Sequence, residues 1–391
     1  MALLLAMFVA CGAFAAVVLA ASALDASRDR ATERALALAR EALVAYAVDR
    51  PIDRVVGPGY LPCPDLDGDG WAESTCGSLA GDSGQAQRLG LLPWKTLGIP
   101  EVRDGAGEPL WYAVATKYKG LLNCAASPAC VDHTPATAAG TITVRDAAGA
   151  ILHDGTLADG RAPGAGAVAV VIAPGAPLAR WAGFSQRRGC VPSPCPPAQY
   201  LDAAPWSEDN ASFVDRNDGL RTANRDGFIA GPVTDAAGQL WVNDRIAVLG
   251  YAELMPRVMA RVALEAGHCL RLAAQRDGAL PTPAPACSQA WGRVPPLGAL
   301  EGCMLAPDAT SGWWEAWRPY VAYAAAPHCD GGVDCIALVD REGRAVASDY
   351  RLALTVGPDA NSCGAPLLRC DAGRCTQVSS GAGLDVSIAL R

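Results

Sequence analysis

Three aspartates alternate in the stretch "DLDGDGWAE": Asp65, Asp67 and Asp69, followed by Gly70, Trp71 and, two residues on, Glu73. Carboxylates at positions one, three and five of a loop converge on one point, and a glycine at position six permits the sharp turn that a calcium loop needs. The Trp71 carbonyl then falls at position seven and Glu73 at position nine. Position twelve, where such a loop carries a bidentate glutamate, is Cys76. Asp65, Asp67, Asp69, Trp71 and Glu73 thus form an incomplete cradle of hard oxygen ligands, and Ca2+ is the one cofactor suggested. The competing reading is a solvated Asp/Gly turn closed by Cys63 and Cys76.

Cysteine supplies the second candidate chemistry. The chain has 15 cysteines, and all but Cys11 lie beyond its apolar first 24 residues. Several stand in close pairs: Cys124 with Cys130, Cys190 with Cys195, Cys329 with Cys335, and Cys370 with Cys375. Zinc knuckles pair cysteines across two intervening residues, and that spacing does not occur. An even set behind an export segment reads as a disulfide framework from an oxidising compartment. The expected bridges are those four pairs and Cys63–Cys76. Catalysis finds less support. His133, His153, His268 and His328 show no metal-ligand spacing, and Ser185 in "GFSQR" lacks the flanking glycines of a nucleophile elbow. Asn210 opens an "NAS" triplet, which fits a glycosylation sequon. Trp313, Trp314 and Trp317 cluster in "SGWWEAWRPY"; they suit core packing or, if exposed, a sugar- or partner-binding face.

These residues need a scaffold and a side of a membrane. Residues 1–24 carry no charged side chain, enough to cross a bilayer core of about 30 Å as a helix. We expect a retained membrane helix; a signal cleaved after "ASA" at 21–23 and a lipoprotein acceptor at Cys11 are the alternatives. Arg28, Arg30 and Arg34 would favour a cytoplasmic body, but the cysteine framework outweighs them and places it outside the cytoplasm. Good helix formers continue to Pro51, with Leu36, Ala39, Leu43, Tyr46 and Ala47 on one stripe. One continuous helix of roughly 45 residues, about 70 Å, is expected. The net charge is −8, and no basic stripe interleaves with aromatics. That argues against a nucleic-acid partner, which demands such a patch, and none is expected.

Further on, "LWYAVAT" reads as a strand or buried turn and "TITVRDAAGAIL" as a hairpin turning at 147–149. "GAVAVVIAPG" reads as a central strand. Residues 176–240 are polar, turn-rich and irregular. Residues 252–276 form a second amphipathic helix, with Leu254, Val258, Val262, Ala266 and Leu270 on one face and Pro256 early enough to be tolerated. The segments after this helix echo those after the first. "GALPTPAPAC" echoes "GYLPCPD", and "WGRVPPLGALEGC" echoes "QRLGLLPWKTLGI". Residues 319–360 echo the run from "LWYAVAT" to "VAVVIAPGAP". The shared order of features implies an internal duplication. The echo drops every aspartate, so any calcium site belongs to the first unit alone.

The long half-apolar helix, then "REALVAYAVDR…GYLPCPDLDGDG", "LGLLPWKTLGI" and "LWYAVA", resemble the type IV pilin-like proteins: the pseudopilins and minor pilins of bacterial pilus and type II secretion machines. The motif match covers residues 35–115, and the remainder matches by architecture. The apolar run carries no glutamate, a departure from the prepilin pattern. The resemblance implies an α+β fold: a long N-terminal transmembrane-plus-amphipathic helix, then tandem pilin-like units with small antiparallel sheets and disulfide-clipped loops. The expected division is a transmembrane segment at 1–24 and a first unit at 25–245, its helix at 25–49. A second unit occupies 246–391, its helix at 252–276. The implied role is structural and not enzymatic. The chain would be an accessory component of a pilus or secretion apparatus, single-pass in the bacterial inner membrane with its body in the periplasm or on the cell surface. Its partners would be other pilin-like subunits or secretion-apparatus proteins. The alternatives are a membrane-tethered extracytoplasmic hydrolase and a carbohydrate-binding or adhesin module built on the tryptophan cluster.

Overall fold

A computed structural model describes residues 2–52, 57–74, 76, 88–115, 118, 140–155, 166–180, 185–191, 193–204, 209–213, 227–285, 292–298, 300–305, 312–326, 336–339, 345–356, 368–371, 374–377 and 386–390. Helix α1 is continuous over Ala2–Asp49. Its side chains are described from Ser22 onward, and residues 22–30 are exposed. From Ala35 a buried stripe appears at helical spacing: Ala35, Leu36, Ala39, Leu43 and Ala47. Tyr46, expected on that stripe, is half-buried. Among the residues whose side chains are described, which on α1 begin at Ser22, no helix is long and apolar enough to cross a membrane.

The stripe packs on a first antiparallel sheet. Strands β1 (Leu89–Leu91) and β2 (Trp111–Val114) come first. Strands β3 (Thr143–Arg145) and β4 (Ile151–His153) form the expected hairpin. Its turn is held by the Asp146 carboxylate, which accepts from the Ala148 and Ala150 amides. Strand β5 (Ala167–Ala173) is buried at every residue, as a continuous apolar run requires when both faces are covered. Then come β6 (Gly227–Ile229), a short hairpin of β7 (Val233–Thr234) and β8 (Leu240–Val242), and β9 (Arg245–Gly250). The main sheet runs β1-β2-β5-β9, and a smaller one runs β4-β3-β6 with β6 parallel to β3. Helix α1 lies on β5 and β9.

Strand β9 runs directly into α2 (Tyr251–Asp277), which ends at a left-handed Gly278 whose amide caps the Ala274 carbonyl. A division at 245/246 therefore cuts a strand of the first sheet; the backbone passes from sheet to helix at 250/251. Leu254, Val258, Val262, Ala266 and Leu270 are all buried. They face a second sheet, β10 (Ala284–Pro285), β11 (Gly292–Arg293), β12 (Val321–Ala325), β15 (Leu352–Val356) and β18 (Val386–Leu390), hydrogen-bonded in that order. A short helix α3 (Gly312–Trp317) precedes β12. The remaining strands, β13 (Ile336–Val339), β14 (Ala345–Tyr350), β16 (Leu368–Asp371) and β17 (Arg374–Gln377), make a sheet in the order β14-β13-β17-β16, with β17 parallel to β13.

The two halves share one topology. Strands β11-β12-β15-β18 repeat β1-β2-β5-β9, and the β13–β14 hairpin with its parallel neighbour β17 repeats β3–β4 with β6. The register repeats as well. Gly90 faces Tyr112 and Gly292 faces Tyr323, while Tyr112 faces Val171 and Tyr323 faces Leu354. The Tyr112 hydroxyl donates to the Pro62 carbonyl at 3.1 Å, and the Tyr323 hydroxyl donates to the Pro281 carbonyl. A Cβ on Gly90 would meet the Asp65 carbonyl at 2.7 Å, and one on Gly292 would meet the Ala284 carbonyl at 2.5 Å. Both glycines admit the same crossing of the Leu-Pro loop over the sheet edge. The helices α1 and α2 lie against each other, joined by ion pairs Arg40–Glu253 and Glu41–Arg257, and a single apolar core runs through both halves.

Candidate functional site

The acidic loop leaves the Leu-Pro crossing at Asp65, which is buried. Its backbone bridges to Leu91 of β1 in both directions, at 3.0 and 2.8 Å, so the loop hangs from the sheet edge. Its carboxylate turns inward: Oδ1 accepts from the Gly68 amide at 2.7 Å and Oδ2 from the Gly70 amide at 2.8 Å. Gly68 and Gly70 both have positive φ, 80° and 88°. At Gly70 a Cβ would strike the Trp94 ring at 2.7 Å, so the "DGDG" spacing meets a backbone and a packing requirement together. Burial pushes the Asp65 carboxyl up from its ordinary value, and the two amide bonds pull the other way. The other loop carboxylates bond amides of the loop itself. Asp67 accepts from the Asp69 amide, Asp69 from the Trp71 amide at 2.7 Å, and Glu73 from the Leu66 amide at 3.2 Å. Lys95 donates to the Asp69 carbonyl and lies over the Trp94 ring.

Asp65, Asp67 and Glu73 each place a carboxylate oxygen within 4.8 Å of the others. Three hard oxygens in a loop suit Ca2+, and a carboxylate oxygen that accepts one amide bond keeps a second lone pair. These three are the residues that would hold the ion. Asp69 lies outside that group, and the Trp71 indole stands 56% exposed.

The loop is closed by Cys63–Cys76, as expected, and a second bridge joins Cys190 to Cys195. The two clipped loops meet: Pro194 lies 3.5 Å from where a Cβ on Gly68 would stand. A third bridge, Cys269–Cys303, ties α2 to the loop after β11 and was not foreseen from spacing. Residues 34 apart in sequence carry no local signal; only the packing of α2 brings them together. Two of the expected bridges, Cys124 to Cys130 and Cys329 to Cys335, fall on cysteines outside the described residues: Cys124 and Cys130 precede β3, and Cys329 and Cys335 lie between β12 and β13. For the fourth close pair, Cys370 and Cys375 sit directly opposite each other across the β16–β17 ladder.

The irregular stretch hides a polar cluster that sequence reasoning missed. Asp202, Asn210 and Asp244 are fully buried, with Arg180 and Gln186 nearly so. Asp244 Oδ2 accepts from the Asp202 amide and from Asn210 Nδ2, both at 2.8 Å, and Asp202 Oδ2 accepts from the Asn243 amide at 2.8 Å. Asn210 also bonds Ile229 through both its donor and its acceptor atoms. Its "NAS" triplet is therefore a core junction, not an exposed acceptor. The only sequence signal was the density of Asp and Asn in a stretch without hydrophobic periodicity.

Trp313, Trp314 and Trp317 are buried, with the rings of Trp313 and Trp317 stacked at 5.5 Å. Trp313 fills the space over Gly57, at the exit of the first helix, where a Cβ would meet its ring at 2.6 Å. Trp313 thus packs the second half against the first, and the three buried rings present no aromatic face to a sugar. Of the histidines, His268 is exposed on α2 and His153 half-buried on β4; His133 and His328 lie outside the described residues. His153 borders a cavity of about 600 Å³ with Glu33, Arg40, Arg245 and Glu253. The charges there are paired with each other, Arg40 with Glu253 at 3.3 Å and Arg245 with Glu33 at 3.0 Å. A cavity of about 400 Å³ beside the acidic loop is lined by Asp65, Trp94, Lys95, Glu101 and Arg103, without serine or histidine. No family model, curated protein or solved structure matches the chain.

Proposed function

We propose that this protein is a structural, pilin-like component of a bacterial pilus or type II secretion apparatus, without catalytic activity. The observation that carries the reading is the form of α1. It is one unbroken helix whose residues 22–30 are exposed and whose later part is built into the first sheet. The body meets the helix at Arg28 and Asp29, through the Gly105 loop and Arg245. Residues 22–27 are exposed, and helices in water draw their stability from packing. In this reading the apolar stretch ahead of them inserts in the inner membrane, and residues 22–27 meet other pilin-like subunits or secretion-apparatus proteins. The disulfide-clipped loops then face the periplasm or cell exterior. Calcium, held by Asp65, Asp67 and Glu73, stiffens the first unit's loop. The test is co-purification from membranes, with an epitope tag at the C-terminus. Recovery of pilus or secretion subunits, lost when residues 22–27 are replaced by an unrelated helical sequence, is expected. Recovery of the tagged protein alone under mild cross-linking refutes it.

A further inference from the structure

The Asp202–Asp244 cluster has no part in a pilin-like role, and among the described residues its carboxylates outnumber the arginines beside them. Asp202 faces Asp244, Arg180 and Arg188, with Gln186 Nε2 donating to its Oδ1 at 2.9 Å. Asp244 faces Asp202 and Arg180. Both arginines are already committed: Arg180 to Asp209 at 2.6 Å and Arg188 to Glu108 at 3.2 Å. Among the described residues, the two buried carboxylates thus share arginines that each have an acidic partner already. Asp244 Oδ1 is wholly buried and meets no protein donor among the described residues. An ionised oxygen in that position is far costlier than a protonated one.

The cluster is also a mechanical junction. Asp202 and its neighbour Leu201 belong to the segment after the Cys190–Cys195 loop; the Leu201 carbonyl accepts from Arg180 and Gln186. Asp244 sits in the turn between β8 and β9, and its carbonyl accepts from the Gly231 amide at 2.7 Å. The bonds from the Asp202 amide to Asp244 and from the Asn243 amide to Asp202 form a reciprocal clasp between segment and turn. Asn210 adds a third strap.

We propose that Asp202 and Asp244 form a proton-operated latch: one proton on the Asp244 carboxyl holds residues 198–204 and 209–213 closed on the β8–β9 turn, and its loss opens them. Burial, then the neighbouring Asp202 charge, pushes the Asp244 carboxyl well above the carboxylate range, and burial raises Asp202 to about 6. The pair is therefore fully protonated in acid, holds one proton near neutrality, and loses it in base. The clasp is tightest at low pH and loosens as pH rises.

Hydrogen–deuterium exchange of the full chain in detergent, corrected for intrinsic rates, tests this. Protection of the Asp202, Asn210, Ile229 and Asn243 amides should fall about tenfold or more between about pH 6 and pH 9. The buried middle of α2, Val258 to Ala266, should keep its protection. Asp244→Asn, permanently neutral, should abolish the pH dependence. Asp202→Asn, which removes the like charge, should move the transition to lower pH. Wild-type protection that stays flat across this range overturns the proposal, whatever the variants do. So does a folded Asp244→Asn variant with the wild-type pH dependence.

Discussion

Replacing Asp65 with alanine should unhook the acidic loop whether or not calcium binds it. The carboxylate accepts from two amides, Gly68 at 2.7 Å and Gly70 at 2.8 Å, and both glycines sit at positive φ. Hydrogen bonds to an ionised acceptor contribute about 1.5–3 kcal/mol each. The side chain is buried, so removing it also recovers part of its desolvation cost. We expect Asp65→Ala to lose about 3 kcal/mol net. Asp65→Asn keeps one acceptor but turns amide hydrogens toward a glycine N–H, and should lose about 2 kcal/mol. The assay is urea unfolding of the oxidised full chain in detergent, once with a calcium chelator and once with about millimolar calcium. In chelator the loss isolates the loop-holding role. In calcium, the wild-type midpoint should rise, while Asp65→Ala, Asp67→Ala and Glu73→Ala respond weakly. An Asp65→Ala chain within about 0.5 kcal/mol of wild type in chelator would refute the claim that this carboxylate builds the loop. A wild-type midpoint indifferent to calcium would remove the ion from the reading and leave the loop-holding role standing.

The repeated tyrosine bonds should be worth similar amounts. Tyr112→Phe and Tyr323→Phe should each cost about 1 kcal/mol in the same urea experiment, and a large difference between them would break the equivalence of the halves. Removing the Cys269–Cys303 bridge by the double alanine change frees a loop of sequence separation 34 and should cost about 4 kcal/mol by loop entropy, read as a lower urea midpoint. Asp202 is raised from 3.8 to about 6 in the fold, so its stabilising contribution is complete below the unfolded value and lost as pH rises through about 6, a change of roughly 3 kcal/mol. Wild type should therefore lose stability relative to Asp202→Asn between about pH 4 and pH 7, and parallel pH profiles would contradict this. Gly105→Ala places a Cβ 2.1 Å from the Arg28 carbonyl of α1; it should release the 103–107 loop from the helix and raise its protease sensitivity.

Local patterns were legible wherever one element supplied its own signal. The α2 face from Leu254 to Leu270 is buried as its spacing predicts, and the all-apolar run at Ala167–Ala173 is a strand covered on both sides. Close cysteines also spoke for themselves, because a short loop brings its ends together at little entropic cost. The Cys190–Cys195 bridge needs no distant partner. Residues whose partners lie on other elements were silent. Asp202 and Asp244 are ordinary acids in a polar stretch until folding buries both. The tryptophans could have served core or surface until Gly57 was seen to receive Trp313.

The order of the echoed segments was readable in the chain itself: helix, Leu-Pro crossing, strand, hairpin, apolar strand. Such order is a property of local composition and needs no third dimension. That Gly90 and Gly292, and Tyr112 and Tyr323, hold matching places depended on register, which is set between strands. The oxygen-rich spacing of Asp65, Asp67 and Glu73 was likewise written in the sequence. Tertiary structure decided that Asp65 is buried and holds the Gly68 and Gly70 amides, while Asp69 lies outside the carboxylate group and accepts from the Trp71 amide, because Asp65 is tied to the sheet edge at Leu91 and Gly70 is packed under the Trp94 ring.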